Sequence, residues 1–303
     1  MFSRGCLPLK KIFGSFESAD MTYIPDRKVG FHHAPQFDAY GDRASPPAYT
    51  PNYHPSVSDS SSAIGQYPTE KQKEAPVFIS ENYDETPHTG PIRSSSSVTR
   101  DGPLVIRGEV YTAGSLRLRN TIHVEGKTFS SGSTTLENDI RVDENVTCSG
   151  SLKCVDKIKI NGEVFTSASI EFQNQVKVAG GVKATGSIHF KNQVKVGDAV
   201  GSSGSLTLDG DIKVRGKVWS AGSIVLKNGV DIGGNLDATG SIKVSGPGAV
   251  VVGGNLDCRN SLTVDGKLHV KGNLTVFGSL THRTGGELIV DGRKTVHGGE
   301  DYD

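Results

Sequence analysis

The stretch Gly204-Ser-Leu-Thr-Leu-Asp-Gly-Asp-Ile-Lys-Val-Arg-Gly-Lys-Val-Trp-Ser-Ala221 is one copy of an eighteen-residue unit that recurs through two thirds of the chain. Each copy opens with Gly-Ser or a close variant, and the first residue of this pair defines slot 1. The copies open at Ser96, Gly114, Gly132, Gly150, Ala168, Gly186, Gly204, Gly222, Gly240, Asn260 and Gly278. The Asn260 copy comes two residues late because Pro247-Gly248 interrupts the preceding copy. A fixed period of this length indicates a repeat architecture.

Aliphatic residues occupy slots 3, 5, 9, 11 and 15 of most copies. Those in slot 11 are Ile106, Val124, Val142, Ile160, Val178, Val196, Val214, Ile232, Val252, Val270 and Val290. The apolar positions come in i, i+2 pairs and are mainly β-branched, which is typical of strands with one buried face. Helical spacing is absent, so the pattern predicts an all-β chain.

Slots 1, 7 and 13 carry residues that tolerate a positive φ angle. Slot 7 holds Asn120, Asn138, Asp156, Asn174, Asn192, Gly210, Asn228, Gly246 and Gly266. We therefore expect three bends in each copy, with the backbone in the left-handed region at every bend. Three short strands joined by three corners predict a three-sided parallel β-helix, a solenoid of about eleven coils over residues 96–296.

The sequence before this region has a different composition. Residues 1–95 hold eleven of the thirteen prolines, several serine runs and six tyrosines, and they show no sustained period. Such a segment buries little apolar surface, so it is predicted to be a disordered tail that either stays solvated or recruits a partner. Residues 297–303 are predicted to form a short acidic C-terminal tail.

The first sixteen residues mix bulky apolar and basic side chains without a run long enough to cross a membrane. They are a candidate membrane-targeting peptide, 1–16, with Cys6 as a candidate acylation site. The residues that would contact the membrane are Phe2, Arg4, Leu7, Lys10, Lys11 and Phe13.

The charge balance and the cysteine positions indicate which partners and which location to expect. The chain has 33 basic and 33 acidic residues, so no nucleic-acid partner is expected. Cys148, Cys154 and Cys258 fall in inward slots, and buried unpaired thiols favour a cytoplasmic location. No two histidines fall in adjacent coils on one side with an acidic partner, and no phosphate-binding glycine loop is present. We expect no catalytic residues, no cofactor and no metal, and therefore not an enzyme.

Two outward-facing rows could form interaction surfaces. Slot 10 contains a basic ladder, which could dock an acidic partner or be neutralised by Asp139, Asp143 and Asp211. The ladder consists of Arg141, Lys159, Lys177, Lys195 and Lys213. Slot 16 contains an outward aromatic stripe, a candidate contact for the tail or for a second copy. The stripe consists of Tyr111, Phe129, Phe165 and Trp219.

The coil region resembles the bactofilins, a family of polymer-forming cytoskeletal proteins. The likeness rests on the repeat quoted above, on the Ile/Val-x-Gly-x-Val rhythm around Gly108, Gly162 and Gly216, and on the opening Met1-Phe2-Ser3-Arg4. It implies a right-handed helix, nucleotide-independent end-to-end assembly into filaments, and a scaffolding role at membranes.

A solenoid that polymerises would use its end coils, where strand edges are unpaired. The candidate polymerisation residues are Val98, Leu104, Ile106, Leu280, Leu288 and Val290. His282 and Lys294 stand where aliphatic residues are expected, so the last coil could instead be a cap.

Two alternatives remain open. One is a left-handed β-helix enzyme of the acyltransferase or carbonic anhydrase type, although the insertions here are only about two residues long. The other is a β-solenoid binding module that does not polymerise.

Overall fold

The structure is a computed structural model that describes residues 86–303. The membrane-targeting peptide and most of the predicted tail lie outside the described residues. The part that is described consists of strands and turns, with no helix.

Thirty-four strands follow one another along the chain. The first twelve are β1 (His88–Thr89), β2 (Ile92–Ser94), β3 (Val98–Asp101), β4 (Leu104–Ile106), β5 (Val110–Thr112), β6 (Leu116–Arg119), β7 (Ile122–Val124), β8 (Thr128–Ser130), β9 (Thr134–Glu137), β10 (Ile140–Val142), β11 (Val146–Cys148) and β12 (Leu152–Val155). The next twelve are β13 (Ile158–Ile160), β14 (Val164–Thr166), β15 (Ile170–Gln173), β16 (Val176–Val178), β17 (Val182–Ala184), β18 (Ile188–Lys191), β19 (Val194–Val196), β20 (Val200–Ser202), β21 (Leu206–Asp209), β22 (Ile212–Val214), β23 (Val218–Ser220) and β24 (Ile224–Lys227). The last ten are β25 (Val230–Ile232), β26 (Leu236–Ala238), β27 (Ile242–Val252), β28 (Leu256–Cys258), β29 (Leu262–Val270), β30 (Leu274–Val276), β31 (Leu280–His282), β32 (Glu287–Val290), β33 (Lys294–Val296) and β34 (Glu300–Tyr302).

Every strand pairs in parallel with the strand one coil away, so the chain is the predicted three-sided parallel β-solenoid. Side A contains slots 3–6 and runs from β3 to β34, for example through the pairing of Leu116 with Thr134. Side B contains slots 9–11 and runs from β1 to β32. Side C contains slots 15–17 and is a twelve-stranded sheet from β2 to β33.

The solenoid has about twelve coils and is longer at both ends than predicted. It begins with β1 at His88 and ends with β34 at Tyr302. In the first coil, Ile92 of β2 fills the inward slot 15. The end coils were missed because few of their inward slots are aliphatic. Residues 88–94, which the sequence predicts to be part of the tail, form β1 and β2, and Glu300, predicted to lie in the acidic C-terminal tail, begins β34.

The two short insertions leave the stack intact. The register shifts between Gly246 and Val250, which absorbs Pro247-Gly248 within β27. A second two-residue insertion forms a turn at Gly285, after which Lys267 pairs with Glu287.

Only one of the three corners uses positive φ systematically. At slots 7 and 8, Asn120 and Thr121 have φ angles of 60° and 58°, and both slots are positive again in the next four coils and at Asn228-Gly229. At slots 1 and 13 the prediction of positive φ is wrong, with Gly108 the exception within the described residues. Glycine is favoured there because coils approach closely: a Cβ on Gly114 would lie 2.4 Å from the backbone nitrogen of Ser97.

The core is a continuous column of inward side chains. Phe172 and Phe190 occupy slot 5 of adjacent coils, and their rings stack with centroids 4.9 Å apart. Small polar residues in slot 17 donate to corner carbonyls, as Ser220 Oγ does to Gly204 O at 2.7 Å. Their burial is therefore compensated by hydrogen bonds.

Candidate interaction surfaces

The residues of the basic ladder lie in one continuous row on side B. Arg141 pairs with Lys159, Lys159 with Lys177, Lys177 with Lys195, and Lys195 with Lys213, each in parallel register. All five side chains are exposed. Neighbouring strands of a sheet are about 4.8 Å apart, so the charged groups follow one another at that spacing along the solenoid axis.

The ladder is neutralised at its N-terminal end only. Arg141 Nε donates to Asp143 Oδ1 at 2.7 Å, and His123 Nε2 lies 2.7 Å from Asp143 Oδ2. Burial raises the pKa of Asp143, but the hydrogen bonds from His123 and Arg141 outweigh it, and the net pKa is lowered. In the described part of the chain, the four lysines, Asp139 and Asp211 form no ion pair. Of the three acids predicted to neutralise the ladder, Asp143 alone does so.

The aromatic residues on side C do not form one stripe. Tyr111 and Phe129 stack with ring centroids 5.0 Å apart, and Tyr111 is 45% exposed. Thr147 separates this pair from Phe165. Trp219 lies further along the side, where a Cβ on Gly201 would be 2.3 Å from its indole ring. The sequence correctly placed these aromatic residues in slot 16. It did not show that Tyr111 and Phe129 stack while Phe165 is separated from them.

Side C also contains a groove that the sequence did not predict. It has a volume of about 590 Å³ and lies between the slot 16 and slot 18 rows. Trp219 and Phe277 line it together with Asp237 and Asp257, which pair in register. Burial, and then the charge of Asp257, raise the pKa of Asp237. Arg259 lies over the Phe277 ring at 5.9 Å. The signal was the pair of acids twenty residues apart, across the Pro247-Gly248 insertion.

The candidate polymerisation residues fall into two groups. Val98, Ile106 and Leu280 are buried, with exposures of 5%, 0% and 0%. Leu280 is covered because β31 pairs with β34, so it is not at the end of the stack. Leu104, Leu288 and Val290 are partly buried against the core. Leu288 and Val290 belong to β32, the last strand of side B.

A polar network occupies the inward slots of the last coil. Glu300 Oε1 accepts a hydrogen bond from Lys294 Nζ at 2.8 Å and from the Tyr302 hydroxyl at 2.8 Å, and it lies 2.7 Å from His282 Nε2. The hydrogen bond from Lys294 is the main reason that the pKa of Glu300 is lowered to about 2. His282 and Lys294 therefore belong to a polar cap on part of this end.

The three cysteines of the described region are free and buried. Burial raises the pKa of each thiol, most strongly that of Cys154. Their sulfur atoms are therefore protonated at neutral pH, and Cys148 Sγ donates to Gly150 O at 3.1 Å.

Residues 86–303 lack two other kinds of site. No group of three or more His, Cys, Asp or Glu side chains is placed to hold a metal ion. No helix in this range is long and apolar enough to cross a membrane.

The fold and surfaces define a repetitive β-solenoid with charged and aromatic rows on its sides. No family model, no curated protein and no solved structure matches the chain.

Proposed function

We propose that the protein is a structural scaffold of the bactofilin type, whose solenoids stack end to end into filaments without nucleotide. In this proposal it is not an enzyme, it acts in the cytoplasm, and its first sixteen residues tether it to a membrane. The β-solenoid fold is compatible with such a structural role, because a rod of identical layers can be extended by adding a further rod.

The observation that carries the proposal is the open edge at β32–β34. Within the described residues each of these strands pairs with one neighbour, β29, β30 or β31. Each therefore presents a row of unpaired backbone groups to an incoming strand. Leu288, Val290 and Val296 pack against the core at this edge and remain partly exposed. Stacking a second solenoid would bury their remaining apolar surface.

The polar cap restricts which surface can stack on this edge. Lys294 and Glu300 form an ion pair across inward slots of sides C and A, whereas side B offers Leu288 and Val290. Burying charged groups against an apolar surface is unfavourable unless they stay paired. The apolar part of the contact is therefore assigned mainly to side B, with Val296 of side C beside it.

Electron microscopy of the full chain tests the proposal, with Leu288→Lys as the disrupting variant and Ile289→Lys as its control. The two residues are neighbours on β32, but Leu288 faces the core and Ile289 faces outward with 45% exposure. We expect uniform filaments, without nucleotide or metal, from the parent chain and Ile289→Lys, and discrete particles from Leu288→Lys. Circular dichroism checks that both variants keep their β-structure.

Two outcomes would count against this proposal. Discrete monomers or small oligomers of the parent chain at high concentration would contradict filament formation and favour a binding module. Filaments of normal length from a folded Leu288→Lys variant would show that the β32 edge is not the contact.

A further inference from the structure

The four lysines of the ladder that follow Arg141 form an uncompensated row. Lys159, Lys177, Lys195 and Lys213 point outward from β13, β16, β19 and β22 in strict register. Their ammonium groups repel one another because the strands are neighbours in one sheet and only about 4.8 Å apart. An anionic surface brought against side B would relieve this repulsion.

The surroundings of the row add positive charge. Between residues 157 and 233, the outward slots of side B hold the four lysines with Lys157 and Arg215, against the acids Asp211 and Asp231. Asp231 pairs in register with Lys213 and lines the same trough, so six cations face two anions on this side. Side A mixes charges in its corresponding slots, as in the pair of Lys153 with Glu171.

The trough beside the row offers little besides charge. It has a volume of about 500 Å³, its floor is made by small residues such as Ala179 and Gly197, and no aromatic residue lines it. The floor's backbone donors are already used: Ala179 N donates to Ile160 O, and Gly197 N to Val178 O, both at 2.9 Å. Proteins that bind single-stranded nucleic acids usually stack the bases on aromatic side chains, and peptides that add to a sheet need free backbone groups, so neither mode is favoured here.

We propose that side B, through Lys159, Lys177, Lys195 and Lys213, docks flat on a bilayer that contains anionic lipids. Lysine suits a diffuse anionic surface because its ammonium is a mobile point charge on a long stem. The row runs along the solenoid axis, so all four lysines reach a plane together and the rod lies parallel to the membrane. This surface is separate from the N-terminal peptide, and it does not require filament formation.

Co-sedimentation of the full chain with vesicles tests the assignment. The vesicles are phosphatidylcholine alone, or phosphatidylcholine and phosphatidylserine in equal parts. The test variant is Lys177→Gln/Lys195→Gln/Lys213→Gln. Each basic residue near an anionic surface strengthens binding roughly fivefold, so the variant should bind the anionic vesicles about a hundredfold more weakly.

The matched control is Lys183→Gln/Lys191→Gln/Lys243→Gln. These three lysines are exposed, lie on sides A and C, and form no ion pair among the described residues. Both variants lose the same net charge and keep the N-terminal peptide, so a general charge effect or binding through the peptide would affect them equally. We expect the control to bind anionic vesicles as the parent chain does. Far-UV circular dichroism establishes that both variants are folded.

Three outcomes would overturn the assignment. Equal binding by the two variants would show that the row does not contact the bilayer. Equal binding of the parent chain to neutral and anionic vesicles would remove the charge argument. Binding to soluble polyglutamate or a polyuronate that depends on the three lysines, without vesicle binding, would assign the row to a linear polyanion instead. Added salt should weaken vesicle binding if the contact is electrostatic.

Discussion

His282 and Tyr302 stack in adjacent coils, with ring centroids 4.6 Å apart and planes 6° from parallel. Both rings occupy slot 5 of side A, where earlier coils place residues such as Leu118 and Phe172. Each ring also contacts Glu300 through a polar atom. The inward slot 5 row of side A thus ends in a polar network.

Acid should weaken the last coil through Glu300. Its pKa is about 2 in the folded chain and ordinarily 4.5, so ionisation of Glu300 favours the folded state. That contribution is complete above about pH 4.5 and is lost as pH falls towards 2. We expect the midpoint of thermal unfolding to fall over this range by more in the parent chain than in Glu300→Gln.

Glu287→Gln is the control for this measurement. Glu287 lies on β32, is exposed, and pairs with Lys267 at 3.5 Å on the outer surface. Its loss should leave the parent's acid sensitivity nearly intact, because exposed ion pairs contribute little. An equal acid sensitivity in Glu300→Gln and the parent would contradict the role given to Glu300.

Most of the fold could be predicted because the repeat expresses the same three-sided unit many times. The pattern at Leu116, Leu118, Ile122 and Val124 is enough to place inward and outward slots. Corner conformation was less predictable. Glycine serves positive φ at Gly210 but close coil-to-coil contact at Gly114, and the sequence does not distinguish these causes.

The candidate surfaces were predicted by slot but not by contact. The slot positions predict that Lys159 and Lys177 are in register. They cannot show that the Asp143 carboxylate accepts a hydrogen bond from Arg141 and that the lysines are left without an ion pair. Likewise, the shape of the side C groove depends on the side-chain conformation of Trp219, whose indole lies against Gly201. The slot pattern does not specify that conformation.

Replacing Thr128 with valine should stabilise the solenoid. Its buried hydroxyl is without a hydrogen-bond partner among the described residues, and slot 15 holds valine on both neighbouring strands, at Val110 and Val146. Valine has nearly the same shape and no polar atom to desolvate, so the free energy of unfolding should rise by about 1 kcal/mol. Chemical denaturation measures this change.

Thr134→Val is the comparison for Thr128→Val. Thr134 is also buried, but its hydroxyl lies 2.8 Å from Ser130 Oγ. Removing a satisfied hydroxyl forfeits a hydrogen bond, so this variant should be less stable than Thr128→Val. If both substitutions stabilise the chain equally, the absence of a partner is not what makes Thr128 unfavourable.

At Asn174, in the slot 7 corner, two contributions to stability can be measured separately: the positive φ angle and the side-chain hydrogen bonds. Asn174 has a φ of 54°, its Nδ2 donates to Asp156 Oδ1 at 2.9 Å, and its Oδ1 accepts from Asn192 Nδ2 at 3.2 Å. Asn174→Gly keeps the conformation and loses both bonds, whereas Asn174→Ala also places an unfavourable Cβ in the left-handed region. By equilibrium denaturation, alanine should therefore be less stable than glycine by about 1 kcal/mol. Equal stability of the two variants would mean that the hydrogen-bonded ladder, rather than the positive φ, is what selects asparagine at this corner.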